Sequence, residues 1–194
     1  GRTDAGVHAL GQVANFKTNS NIPVEKFPIA LNTKLKRSIR VLSAEEVDEN
    51  FHSRYNCKKK TYRYVIDLNE FNPLNKNYRY YYKYKLDVNK IIEASKIFIG
   101  EHDYKSFTKN HTIENTIRTI YDIKFNIENN VINIEFYGNG FLHNMIRIIV
   151  AMLIEVGNDR LSKEDLQNIM DMKNRKLAPK LAPANGLYLV SVEY

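Results

Sequence analysis

The chain opens on Gly1-Arg2-Thr3-Asp4-Ala5-Gly6-Val7-His8-Ala9, a stretch that sets one carboxylate between two glycines. Glycine permits tight backbone and the close approach of a ligand. Asp4 has two readings in that setting. It can be an Asx-turn residue that bonds its own backbone. It can instead be an ionised carboxylate presented on a turn, with the chemistry of a nucleophile or a general base. A second unusual residue is Arg147, inside the apolar run FLHNMIRIIVAMLIEV at 141–156. A guanidinium keeps its proton, so it either snorkels to water or takes a partner. Asp4 is a candidate partner. Removing one member of a buried ion pair costs about 3–5 kcal/mol.

The third candidate is the basic and aromatic run KKKTYRY at 58–64. On a strand, Lys60, Tyr62 and Tyr64 share one side, while Lys59, Thr61 and Arg63 share the other. One reading is a basic edge strand that resists unwanted pairing. The other is a cationic surface with an aromatic platform for a base, worth about 1–3 kcal/mol per stacked base. Tyr78, Tyr80, Tyr81, Tyr82 and Tyr84 alternate between faces and are expected to pack a sheet, not to form one stacking strip.

Other chemistries lack their residues. None of His8, His52, His102, His111 and His143 has the H-x-x-x-H spacing of a zinc site, and Cys57 is the single cysteine. The zinc-deaminase signature is absent. Gly138-Asn139-Gly140 lacks the third glycine of a dinucleotide loop and the Gly-Lys-Ser/Thr of a phosphate loop. There is no G-x-S-x-G elbow. Chemistry without metal or organic cofactor is therefore expected.

The elements that must position these residues follow from periodicity. Strands are expected at Gly11–Phe16, Arg40–Val47, Lys59–Ile66, Tyr78–Tyr84, Ile117–Ile127, Val131–Tyr137 and Leu187–Glu193. Helices are expected at Val24–Leu35, weakened by Pro28, at Val88–Ile99, stopped by Gly100, and at Phe141–Val156, stopped by Gly157. A fourth, Ser162–Met172, carries Ser162 as N-cap and Asp165 in a capping box. Residues 69–77 read as a loop, and Glu128, Asn129 and Asn130 as a hairpin turn. Strands and helices that do not strictly alternate argue for an α+β fold with mainly antiparallel sheet.

With 194 residues the chain suits one large domain or two small lobes. Lys and Arg total 29 against 22 Asp and Glu, a formal charge of +7 that favours a polyanionic partner. No apolar run is long enough for a membrane span and no signal peptide is visible, so a reducing cytoplasmic setting is expected. The opening on Gly1, with no Met, reads as the interior of a longer protein.

GRTDAGVHALGQVANF resembles the catalytic motif of the bacterial tRNA pseudouridine synthase A family. The resemblance continues in family order through FHSRYNCKKKTYRYVI, GEHDYKSFTK, TIRTIY, GNGFLHNMIRIIVAMLIEVG and APANGLYLVSVEY, over essentially the whole chain. It implies isomerisation of uridine to pseudouridine at positions 38, 39 and 40 of the tRNA anticodon stem-loop, without a metal or a cofactor. It implies a homodimer, and two similar lobes flanking a catalytic cleft. The lobes would be residues 1–50 and 58–194, joined by a connector at 51–57. The family carries a further segment of ~50 residues ahead of the motif, which completes the first lobe's sheet.

Carried over residue by residue, the resemblance makes Asp4 the catalytic carboxylate, attacking the nucleoside or acting as base on it. Arg2 would hold RNA and extrude the target nucleotide. Tyr62 would stack on the uracil and assist proton removal. Arg147 would pair with the catalytic carboxylate. Lys60 and Arg63 would contact the substrate. Ala151 stands where the family has Gly, and Thr61 where a basic residue is common before the tyrosine. Two other readings stand beside the isomerase: a tRNA-binding module or inactive fragment without catalysis, and a base-excising hydrolase that releases free uracil.

Overall fold

The computed structural model describes residues 1–110 and 112–194; His111, one of the five histidines surveyed for metal spacing, lies outside the described residues. The chain divides into two compact units, one of Gly1–Gln12 with Cys57–Tyr194 and one of Val13–Asn56.

The larger unit is a seven-stranded sheet. Its strands are β1 (His8–Ala9), β2 (Lys59–Asp67), β3 (Tyr80–Tyr81), β4 (Gly100–Asp103), β5 (Ile117–Glu128), β6 (Val131–Gly138) and β7 (Leu187–Glu193). The order is β1-β7-β2-β6-β5-β4, with β3 paired to the end of β2. The long pairings are antiparallel, while β1 on β7 and β3 on β2 are parallel. Strand alternation gives the sheet two different faces. Tyr64 and Ile66 of β2, Ile132, Ile134 and Phe136 of β6, and Leu187 and Leu189 of β7 are buried in one core. Burial of each such side chain contributes about 1.5–3 kcal/mol.

Three helices of this unit share that core: α2 (Val88–Ser95), α3 (Met145–Gly157) and α4 (Lys163–Asp171). The helix α3 is buried along almost its whole length, as expected for a helix apolar all round. The helix α4 has the expected capping box: Ser162 accepts from Asp165 N, and Asp165 accepts from Ser162 N. The smaller unit holds α1 (Phe27–Asn32), preceded by a 3₁₀ turn at Val24–Lys26, with Pro28 in the helix's first turn. That placement is where proline fits.

The α+β expectation is met. Several elements differ from expectation for local reasons. Gly11–Phe16 is not a strand. The ladder lies earlier, at His8–Ala9, and Asn15 bonds the backbone of Ser53 and Phe51 through its side chain. Such side-chain bonds replace a ladder. Arg40–Val47 is irregular, and the Asn32 amide satisfies both backbone groups of Val41. Tyr78–Tyr84 keeps only two paired residues, because β7 pairs β2 from Lys59 to Tyr64 and leaves only Ile66 and Asp67 to β3. Gly100 ends a helical run as expected, but at φ +110 it also opens the polar strand β4, which has no apolar alternation to announce it. Gly1–Gln12 pack with Cys57–Tyr194 because β1 is a ladder partner of β7.

The register of β2 against β7 shifts between Thr61 and Tyr62, which leaves Val190 as an extra residue on β7. Leu10 and Gly11 both donate to Leu189 O beside this bulge. A Cβ at Gly11 would lie 2.5 Å from Val190 O. Backbone on both sides cannot yield cheaply, so Gly11→Ala is expected to destabilise the protein by about 1–3 kcal/mol. Denaturant unfolding measures this, and an unchanged midpoint would show that the bulge does not fix the segment.

Candidate active site

The loop that carries Asp4 is pinned at both ends. Gln12 Nε2 donates to Gly1 O at 2.8 Å, and Val7 N donates to Asp4 O at 3.1 Å to close a turn. Gly6 has φ +80, and a Cβ there would come 3.3 Å from Ala184 Cβ. Glycine alone takes this conformation without strain. The turn leads into β1, where His8 stacks between Tyr78 and Tyr188, at centroid distances of 5.3 and 4.8 Å. The His8 Nε2–H donates to Asn77 O at 2.7 Å. Asp4 therefore sits on an anchored turn, its side chain 30% exposed.

Arg147 reaches Asp4 from α3. Its Nη1 lies 3.5 Å from Asp4 Oδ2 and donates to Asn144 Oδ1 at 3.0 Å. Its Nε donates to Ala182 O at 2.8 Å. The side chain is only 13% exposed, so it does not snorkel. The helix starts later than periodicity suggests, at Met145 instead of Phe141, because Asn144 takes a left-handed conformation with φ +63 as its N-cap. Asparagine tolerates that region better than other side chains. The four residues freed from the helix form a turn that sends Phe141 to Tyr62 and His143 to Asp4.

Tyr62 lies on the core-facing side of β2, with its ring edge-on to Phe141 at 5.4 Å. Burial first, and the Asp4 charge second, push its phenol up to about 12. Both effects disfavour a phenolate, so Tyr62 is a neutral hydroxyl in the resting site. Lys60 shares its side of β2, and Lys60 Nζ lies 3.8 Å from where a Gly1 Cβ would stand. Arg2 is exposed on the Asp4 loop. The structure thus brings together Asp4, Tyr62, Arg147 and Lys60, with Arg2 alongside.

It does not bring Arg63 there. Arg63 faces the opposite side of the sheet, where its guanidinium holds Glu135, its cross-strand neighbour, at 2.7 Å. The residue that sequence reasoning missed is His143, whose Nε2 lies 3.4 Å from Asp4 Oδ1. Its signal was its spacing of four residues from Arg147, one helical turn, which the actual turn at 141–144 achieves by other means. Among the described residues no group of three His, Cys, Asp or Glu could hold a metal ion. The arrangement is a carboxylate with a cation on one oxygen and an imidazole on the other, beside a neutral phenol. It can supply a nucleophile or base and a proton donor at one place.

Comparison with known proteins agrees with this chemistry. The family described as tRNA pseudouridine synthase matches residues 1–56 and 94–194. A protein of Clostridium tetani named tRNA pseudouridine synthase A 2 is 50% identical over 196 aligned positions, covering 100% of this chain and 79% of that protein. One of Caldicellulosiruptor bescii named tRNA pseudouridine synthase A is 46% identical, covering 100% of this chain and 80% of its own. A Clostridium perfringens protein, also named tRNA pseudouridine synthase A 2, is 46% identical with the same coverage. With its carboxylate, arginine and tyrosine gathered as described, and with this likeness along its whole length, the chain belongs to the tRNA pseudouridine synthase family.

Proposed function

We propose that the protein isomerises uridine to pseudouridine at one or more of positions 38, 39 and 40 of the tRNA anticodon stem-loop, with Asp4 as the reacting carboxylate. The observation that supports this reading best is the Asp4–Arg147 pair, 3.5 Å apart and joined across 143 residues of sequence. The family resemblance further supports a homodimer working in the cytoplasm.

The reaction breaks the bond between C1′ and N1 and forms one between C1′ and C5. The C5 proton leaves and N1 gains one, so the RNA mass is unchanged. A stacked base cannot turn over in this way and must be flipped out, at a cost of a few kcal/mol. Asp4 serves as nucleophile or base, and Arg147 orients it through the contact at Oδ2. The ring of Tyr62 forms a wall against which the uracil stacks, and its protonated hydroxyl is a hydrogen-bond donor. Arg2 and Lys60 supply positive charge for the phosphates, the main source of affinity independent of sequence.

Asp4→Asn is expected to abolish pseudouridine formation while tRNA still binds. Carbodiimide labelling and primer extension on unmodified tRNA read the first, and a binding titration the second. Retained turnover would refute the Asp4 assignment, and released free uracil would favour the hydrolase. Arg147→Met should lower turnover and cost about 1–3 kcal/mol of stability, since it strips Ala182 O of a donor in a buried setting. A variant that is both stable and active would remove its role. Asp4→Asn should also bring the Tyr62 hydroxyl below its titration at about 12. It should stay above the ordinary tyrosine value, because burial is the larger cause. Carbon NMR of labelled tyrosine, assigned with Tyr62→Phe, measures this. An unmoved midpoint would mean that Asp4 and Tyr62 do not sense each other.

A further inference from the structure

We propose that His143 is a positioning residue whose charge state decides whether Oδ1 of Asp4 is free or paired. The proposal rests on the reading above that Asp4 is the reacting carboxylate.

The His143 backbone is held firmly. Its carbonyl accepts from Thr108 Oγ1 at 3.2 Å and from Lys109 N at 3.3 Å. Its side chain is 53% exposed, and among the described residues Nε2 has two polar neighbours: Asn144 Nδ2 at 3.0 Å and Asp4 Oδ1 at 3.4 Å. The charged groups around it are Asp4 on the loop and Arg147 on α3, with Tyr62 of β2 beyond Asp4 and Lys109 bonding its carbonyl through the backbone.

The proton on the ring can be assigned by elimination. Arginine has donors and no acceptor, so the atom of Asn144 that meets Arg147 Nη1 must be the amide oxygen. The amide nitrogen of Asn144 then faces His143 Nε2. An NH₂ group can only donate, so Nε2 carries a lone pair and the neutral ring holds its proton on Nδ1. The chain of bonds runs from the Arg147 guanidinium through the Asn144 amide to the imidazole.

In this neutral arrangement the Nε2 lone pair and Asp4 Oδ1 are two acceptors that face each other, 3.4 Å apart. They form no hydrogen bond, and Oδ1 is open to substrate. Protonation reverses both contacts. The new Nε2–H cannot accept from Asn144, and it finds an anion in Asp4. The carboxylate is then held by a cation on each oxygen, Arg147 at Oδ2 and His143 at Oδ1. Lone pairs engaged in charge-assisted bonds are weaker nucleophiles and bases. Imidazole is the side chain that ordinarily changes charge between about pH 5 and 8. Protonation of the ring therefore closes Oδ1.

Two measurements test this, one of which needs no turnover. The first is single-turnover pseudouridine formation on unmodified tRNA between about pH 5 and 8. The protein should lose about tenfold in rate at the acid end, and His143→Gln less than twofold relative to its own plateau. An acid limb that persists in His143→Gln would overturn the proposal. The second is nitrogen NMR of labelled histidine in the intact protein. The neutral His143 ring should carry its proton on Nδ1. A neutral ring protonated on Nε2 would also overturn it. If the protein forms no pseudouridine at any pH, the functional reading fails, and the NMR result alone decides the role of His143.

Discussion

A guanidinium placed in an apolar helix must find partners, and in this fold Arg147 finds them in three separate stretches of chain. Its Nε bonds Ala182 O, while Ala182 N returns a bond to Arg147 O. Its Nη1 bonds Asn144 and reaches Asp4. The segment it clamps continues into Pro183, whose carbonyl accepts from the buried Tyr64 hydroxyl at 2.7 Å. The next residue, Ala184, lies against Gly6 of the Asp4 loop. One side chain therefore fixes α3, the 182–186 segment and the Asp4 turn relative to one another. Each of its bonds is charge-assisted and largely shielded from water, the condition under which such bonds are strongest.

This constraint explains why the Asp4 loop can be short. Residues 1–7 have little apolar surface of their own to bury, and a free loop of that length would sample many conformations. Its order is imported: from β7 through the His8–Ala9 ladder, from the stack of His8 between Tyr78 and Tyr188, and from Arg147 at its crest. The bulge at Val190 lets the chain leave the ladder directly after Leu10 and Gly11.

What was legible in the sequence follows the same division between local and imported order. The strands β2, β5, β6 and β7, and the capping box of α4, are written in alternation and in local bonding, and they formed where expected. The buried arginine was legible because an ionised group in an apolar run demands a partner. Its pairing with Asp4, 143 residues away in sequence, is visible only in three dimensions. The two-residue strands β1 and β3 depend wholly on which stretch of β2 or β7 is left unpaired. The start of α3 was misread because Phe141 and Leu142 continue its apolar pattern, while the left-handed Asn144 breaks the helix. That departure builds the site, since a helix continued back to Phe141 would not form the turn that carries Phe141 and His143. Arg63 shows the converse. Its type suits an RNA contact, but strand alternation turns it away from Asp4 and Glu135 holds it.

In the proposed reaction, a carboxylate that acts on a polyanion faces an electrostatic obstacle. Phosphates repel Asp4, and the repulsion extends over a Debye length of about 8 Å at physiological salt. The net charge of +7 attracts RNA to the molecule as a whole but does not by itself protect one anion at one turn. Local cations do that. Arg147 offsets Asp4 from the buried side, while Lys60 and Arg2 stand on the side of Gly1. The division of labour follows from burial. The buried arginine keeps its charge on Asp4 whatever the salt, because a shielded pair is screened little. Exposed Arg2 remains available to phosphate, with an attraction that salt weakens. In the proposed reaction, orientation of the carboxylate and capture of RNA thus rest on different cations.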